Sequence, residues 1–123
     1  KDKLDVEAMK QAAYAFVGTH DFKSFCSNKR MKKSTVRTIY DIKIEQKEQR
    51  LVLSFTGNGF LYQMVRILTG TLIEVGEGKR SPREMEEILA AENREAAGFT
   101  APSRGLMLDE VFYEPYGKGT EMP

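Results

Sequence analysis

The sequence predicts an α+β fold, because apolar residues recur with a helical period in three segments and follow the pattern of β-strands in three others. The order along the chain is helix, strand, strand, helix, helix, strand (αββααβ). This order implies a small, mainly antiparallel sheet with the helices packed on one face. The chain has 123 residues, of which 41% are hydrophobic, which suits one core. We expect one domain over residues 1–113 and a frayed, Pro/Gly-rich tail over residues 114–123.

The first helix is predicted from five apolar residues that share one helical face near the N-terminus. Asp5 is expected to cap this helix and Gly18 to end it. Residues 19–25 are predicted to form a compact turn, in which His20 has a structural role and hydrogen-bonds the neighbouring backbone. The five apolar residues are Val6, Met9, Ala13, Phe16 and Val17.

An antiparallel hairpin is predicted from two strand-like segments that a short polar turn joins. In the first, residues 36–46, five alternate residues are expected on one side of the sheet. In the second, Leu51, Leu53 and Phe55 share a face. The five residues of the first strand are Val36, Thr38, Tyr40, Ile42 and Ile44.

Two further helices and a strand are predicted after the hairpin. An apolar stripe indicates a helix over residues 59–75. Residues 81–84, Ser-Pro-Arg-Glu, form a capping box with proline at the first helical position, so a third helix is expected to begin there. The last strand is predicted over residues 106–113.

Composition argues against several classes of protein. A single cysteine, Cys26, cannot form an intrachain disulfide, and a single histidine, His20, leaves no His-rich metal site. No apolar run is long enough to span a bilayer, and residues 1–3 do not begin a signal peptide. We therefore expect a cytoplasmic protein without a metal site. Because the chain starts without methionine, we also expect a piece of a longer protein.

Arg66 is a candidate functional residue, because apolar residues flank it on both sides within the second predicted helix. Burying an arginine is unfavourable unless a carboxylate, a phosphate or several hydrogen-bond acceptors meet it. One interpretation is therefore an arginine held in place to meet an anion. The other is an arginine on the wet face of the helix that reaches water, and the base rate for exposed arginines favours this second interpretation.

The segment between Phe22 and Tyr40 contains six basic residues and no acidic one. Its central part, residues 27–35, is predicted to be an exposed loop. The charges are explained either by a solvated surface or by an arm that binds phosphates of RNA or DNA. The absence of acidic residues favours the arm. The basic residues are Lys23, Lys29, Arg30, Lys32, Lys33 and Arg37.

Five blocks of the sequence resemble the C-terminal half of the TruA family of tRNA pseudouridine synthases. They occur in the family's order and cover most of the chain from residue 18 to residue 113. The blocks are G-T-H-D-F-x-x-F (18–25), V-R-T-I (36–39), G-N-G-F-L-Y-Q-M-V-R (57–66), G-x-L-x-E-V-G (70–76) and A-P-x-x-G-L-x-L-x-x-V-x-Y (101–113).

The resemblance implies isomerisation of uridine to pseudouridine in the anticodon stem-loop of tRNA, without a cofactor. The catalytic aspartate of that family lies in an N-terminal motif, G-R-T-D-x-G-V-H-A, which this sequence lacks. The chain therefore resembles half of an enzyme and is expected to be inactive alone. Its implied partners are tRNA and the missing N-terminal half, and we also expect it to form a homo-oligomer.

The resemblance also assigns roles to particular residues. Arg66 matches the family arginine that pairs with the catalytic aspartate. Leu106, which follows Gly105, matches an apolar residue of the uracil pocket, whereas Asn58 and Phe60 match the turn that shapes the cleft floor. Two other classes remain open: a non-catalytic RNA-binding module that uses the basic residues, and a dimerisation domain.

Overall fold

The structure, a computed structural model, describes residues 4–48 and 50–102 and the backbone of the strand Val111–Gly117. The α+β class is confirmed in these residues, which form three α-helices and four strands. A strand that the sequence analysis missed, β1, precedes the hairpin. The elements are α1 (Val6–Tyr14), β1 (Gly18–Asp21), β2 (Val36–Lys47), β3 (Arg50–Gly57), α2 (Met64–Gly76), α3 (Glu84–Ala91) and β4 (Val111–Gly117).

The four strands lie in the order β1-β2-β3-β4. The antiparallel pairs β1–β2 and β2–β3 confirm a mainly antiparallel sheet. β4 runs parallel to β3, and the connection between them passes through α2 and α3, as parallel neighbours require a long crossover. The compact turn predicted over residues 19–25 is wrong, because this segment divides into β1 and a 3-10 helix, Lys23–Phe25. β4 continues to residue 117, four residues past the predicted end of the last strand.

The helix starts follow local capping chemistry. Asp5 caps α1 as predicted, since its Oδ1 accepts a hydrogen bond from the Ala8 N–H at 3.1 Å. α2 begins at Met64, five residues later than predicted, because Gln63 has a left-handed φ of 60° that helical backbone cannot adopt. The capping-box carboxylate of Glu84 accepts from the Ser81 N–H at 2.9 Å, although regular helix α3 begins only at Glu84 itself.

A β-bulge in β2 decides which side chains enter the core. Ile39 pairs with Gly57 and Asp41 pairs with the preceding residue of β3, so Tyr40 is an extra residue in the strand. The prediction that Tyr40 shares a face with Ile44 is therefore wrong. Tyr40 is 60% exposed, while Ile39 is fully buried. Val36, which the sequence pattern groups on one side with Ile44, is 46% exposed.

The core lies against one face of the hairpin. Leu51, Leu53 and Phe55 of β3 share a face as predicted, and that face is buried, whereas the residues between them are half-exposed. Buried side chains of α1 and α2 belong to the same apolar cluster, which places both helices against this core. Within the described part of the chain, no helix combines the length and apolar character that crossing a membrane requires.

Candidate functional site

Arg66 lies in the first turn of α2 and is held by the chain segment that follows α3. Its neighbours Val65 and Ile67 are fully buried, whereas Arg66 itself is half-buried. The Arg66 Nε–H donates to the carbonyl of Ala101 at 2.7 Å, and the Ala101 N–H donates to the carbonyl of Arg66 at 3.0 Å. Arg66 is therefore fixed at both its backbone and its side chain, which a purely snorkelling arginine would not be.

The fixed guanidinium retains unused hydrogen-bonding capacity. Of its five N–H donors, the one on Nε is committed to Ala101. The donors on Nη1 and Nη2 have no hydrogen-bond partner among the residues that the structure describes, nor does Arg66 form an ion pair there. Two parallel N–H groups of a planar guanidinium suit a carboxylate or a phosphate. The geometry can therefore present a pre-oriented fork to an anion.

The segment 96–101 approaches the α2 backbone closely because glycines face the contact. A Cβ built on Gly70 would lie 1.9 Å from the carbonyl oxygen of Phe99, which is sterically impossible without movement. A Cβ on Gly98 would lie 2.8 Å from the Cα of Thr71. The two backbones therefore pack directly against each other. This contact places Ala101 beside Arg66.

Thr71 strengthens the same contact with hydrogen bonds. Its buried hydroxyl accepts from the Gly98 N–H at 2.9 Å and donates to the carbonyl of Ile67, one helical turn earlier, at 2.8 Å. A buried backbone N–H without such a partner would be destabilising. Thr71 therefore provides the hydrogen-bond acceptor for the Gly98 N–H, which is buried at this contact.

An ion pair fixes the beginning of the segment. The Arg80 Nε–H donates to the carboxylate of Glu74 at 2.6 Å, and its Nη1 donates to the carbonyl of Ala96 at 3.0 Å. Arg94 donates from Nη2 to the hydroxyl of Thr100 at 3.0 Å. Burial lowers the pKa of Arg94 from its ordinary value, and the nearby negative charge of Glu74 opposes that shift.

The turn between β3 and α2 is also rigidly held. Asn58 pairs with Thr38 of β2 twice: its N–H donates to the Thr38 carbonyl, and its Oδ1 accepts from the Thr38 N–H, both at 3.0 Å. A Cβ on Gly57 would lie 2.7 Å from the same carbonyl. Phe60 is fully buried in the core, so it supports this turn from inside.

The predicted exposed loop is confirmed over most of residues 27–35, and its four basic residues are exposed. The loop is tied at both ends. The Ser27 hydroxyl donates to Oε1 of Gln63 at 2.9 Å, just before α2. The Thr35 hydroxyl donates to the carboxylate of Asp21 at 2.5 Å, at the end of β1. The four exposed residues are Lys29, Arg30, Lys32 and Lys33.

Arg37 and His20 lie opposite each other on β2 and β1. Arg37 is half-buried and donates from Nη1 to the carbonyls of Ser34 and Val36 at 2.8 and 2.9 Å, so it braces the end of the loop. Nε2 of His20 lies 3.1 Å from the carbonyl of Val17, which confirms the expected structural role of His20.

Two of the predicted site residues, Gly105 and Leu106, lie outside the described residues. Conversely, Gly70, Thr71 and the Glu74–Arg80 pair belong to the site but were not predicted from the sequence. A signal for Gly70 was present, because a glycine within an apolar helical stripe lowers helix stability and usually marks a close backbone approach. The partners of that approach could not be found from one sequence.

Comparison with known proteins gives the family. A family profile described as tRNA pseudouridine synthase matches residues 12–114, which is most of the chain. The chain therefore belongs to the tRNA pseudouridine synthases, as the TruA-like blocks indicated.

Three relatives illustrate the extent of the match. The tRNA pseudouridine synthase A of Brevibacillus brevis is 56% identical over 110 residues, which cover 89% of this chain and 45% of that protein. The tRNA pseudouridine synthase A of Halalkalibacterium halodurans is 56% identical over 104 residues, or 85% and 40% of the two chains. That of Staphylococcus saprophyticus is 47% identical over 114 residues, or 93% and 43%. The chain thus spans less than half the length of these curated relatives.

We predict that Gly70→Ala destabilises the protein and displaces the segment 96–101. In an exposed helix this substitution stabilises by about 1 kcal/mol. Here the added Cβ would collide with the Phe99 carbonyl, so we expect a loss of roughly 1–3 kcal/mol. Urea unfolding would measure the loss, and the NMR shift of the Arg66 Nε–H would report the changed bond to Ala101. A stabilised variant with an unchanged Nε–H signal would contradict the close contact.

Proposed function

We propose that this chain is the C-terminal part of an enzyme that isomerises uridine to pseudouridine in the anticodon stem-loop of tRNA. It supplies one wall of the catalytic cleft and contacts to the RNA, and it needs no cofactor. The observation that carries the proposal is the orientation of Arg66, whose Nε is bound to Ala101 and whose Nη donors have no hydrogen-bond partner in the described part of the chain. Membership in the family supplies the reaction.

In the proposed mechanism, Arg66 receives the catalytic aspartate of the missing N-terminal half. An adjacent guanidinium favours the ionised form of a carboxylate and lowers its pKa. The aspartate attacks the nucleoside as the glycosidic bond to N1 breaks, and the detached base rotates. C5 then forms the new glycosidic bond as the bond to the aspartate breaks, after which C5 loses its proton to water and N1 gains one. Arg66 takes no part in bond making. It keeps the carboxylate charged and in one orientation, and the Ala101 carbonyl keeps Arg66 in place.

Segments next to Arg66 in the structure or the sequence are proposed to form the other walls of the cleft. Asn58 forms the exposed tip of the turn before α2, and buried Phe60 supports that turn, so both shape the cleft floor. Gly105 and Leu106, which follow the segment 96–101 in the sequence, are proposed for the uracil pocket. The half-fold then pairs with the N-terminal half of the same protein, in the cytoplasm.

The basic loop is proposed to position the tRNA. Lys29, Arg30, Lys32 and Lys33 are exposed, and the loop that carries them is tied to the turn before Arg66 through Ser27. Arg37 contributes to tRNA positioning indirectly, because its hydrogen bonds to the backbone hold the end of the loop in place. A non-catalytic RNA-binding module would need only this loop, and the fixed orientation of Arg66 favours the enzyme. Homo-oligomerisation stays a prediction.

This fragment alone should form no pseudouridine in tRNA, because the aspartate that attacks the nucleoside belongs to the other half. A tritium-release assay with the purified 123-residue chain tests this expectation. The full-length protein, assayed beside it on the same tRNA, is the positive control. Turnover by the fragment would move the chemistry into this half and overturn the proposed division of labour.

Arg66→Lys in the full-length enzyme should lower turnover by roughly ten- to a hundredfold, which corresponds to a lost charge-assisted hydrogen bond. Lysine keeps the charge but cannot bind Ala101 and a carboxylate in one plane. The affinity for tRNA should change little. Arg83→Lys, the same substitution at an exposed position of the chain, is the matched control. Wild-type turnover of Arg66→Lys would remove the ion-pair role.

Replacing Lys29, Arg30, Lys32 and Lys33 by alanine should weaken tRNA binding and reduce its dependence on salt. Each lost phosphate contact should lower the slope of log K against log[salt] by roughly one. Turnover at saturating tRNA should be largely retained. Binding titrations over a series of salt concentrations measure the slope. An unchanged slope would identify the loop as an ordinary solvated surface.

A further inference from the structure

A cavity of about 540 Å³ lies between the basic loop, the end of β1 and the corner that follows α3. Lys29 and Lys33 of the loop line it, together with Lys23 of the 3-10 helix and Arg94. Arg30 and Lys32 belong to the same loop but are not among its lining residues. The loop therefore places two of its cations at this open cavity and two away from it.

The cavity has an excess of positive charge. Its four cationic side chains face two carboxylates, those of Asp21 and Glu92. The Oδ1 of Asp21 already accepts from the Thr35 hydroxyl and from the Lys23 N–H, at 2.5 and 3.1 Å. This carboxylate is therefore engaged in holding the cavity wall. Cations gathered around one space attract an anion of matching size.

Arg94 is a lining cation of the cavity whose side chain is partly fixed. Its side chain is half-buried, and the bond from Nη2 to the Thr100 hydroxyl limits its rotation. Burial lowers the pKa of Arg94, and the negative charge of Glu74 opposes that shift. An anion in the cavity would oppose it in the same way. A pre-oriented guanidinium also loses less rotational freedom on binding than an exposed lysine.

We propose that this cavity binds a phosphate of the RNA backbone together with part of its flanking nucleotide. The volume falls within the roughly 300–1,000 Å³ typical of small-molecule sites and exceeds what a bare phosphate requires. The proposal rests on the proposed function, in which the loop attracts the tRNA by its positive charge. It adds a defined phosphate-binding site to that loop. Lys23 and Arg94, which lie outside the loop, become RNA-binding residues.

Two double variants with the same charge change test the proposal in the full-length protein. Lys29→Ala/Lys33→Ala removes two lining cations, and Arg30→Ala/Lys32→Ala removes two that do not line the cavity. The probe is the dinucleotide uridylyl-uridine, with inorganic phosphate as a comparison, titrated by NMR. We expect the lining pair to weaken dinucleotide binding at least roughly tenfold, as loss of charge-assisted hydrogen bonds does. The other pair should change it less than twofold.

Lys23→Ala provides an independent variant, because this exposed residue lies outside the loop and should behave like the lining pair. Equal effects of the two pairs on the dinucleotide, or binding of inorganic phosphate without binding of the dinucleotide, would overturn the proposal. Failure of the proposed tRNA-binding role of the loop can be distinguished from failure of the cavity proposal alone. In the first case the quadruple loop variant would bind tRNA with unchanged salt dependence, whereas failure of the cavity alone would leave that dependence reduced.

Discussion

The close contact between α2 and the segment 96–101 is the constraint on which the candidate site depends. Gly70 lets the Phe99 carbonyl approach the helix backbone, and every other link between the two follows from that proximity. If the segment moved outward by the width of a methyl group, the 2.7 Å bond that holds the Arg66 side chain to Ala101 would break. The Arg66 side chain would then no longer be held in one orientation.

The polar groups around this contact provide position more than stability. The Glu74–Arg80 ion pair is about one-fifth exposed at both side chains, and pairs that water reaches usually contribute little to folding free energy. Its value lies in the second bond of Arg80, which fixes the carbonyl of Ala96. Thr71 acts similarly on Gly98. Thr71 of α2 and Arg80 of the loop after it thus provide hydrogen bonds to backbone groups that would otherwise face an apolar helix.

Periodicity and capping chemistry were sufficient to predict the class of fold, the hairpin and the N-cap of α1. They failed where tertiary contacts override local pattern. The bulge at Tyr40 resets the alternation of β2, and a bulge has no reliable signature in one sequence. A different, local cause delays α2: Gln63 has a left-handed backbone conformation that the apolar pattern does not reveal. For the site, the apolar flanks singled out Arg66, but its bond to Ala101 joins residues 35 positions apart, which no spacing rule reaches.

The two tethers of the basic loop have a consequence for how this protein can vary. Ser27 and Thr35 fix the ends of the loop to Gln63 and Asp21, so residues between the tethers can change number without moving the framework. Lengthening a closed surface loop is inexpensive, at about 0.6 kcal/mol for each doubling. The exposed loop can therefore change in length by insertion or deletion, while Arg66 and the helix that carries it stay in place.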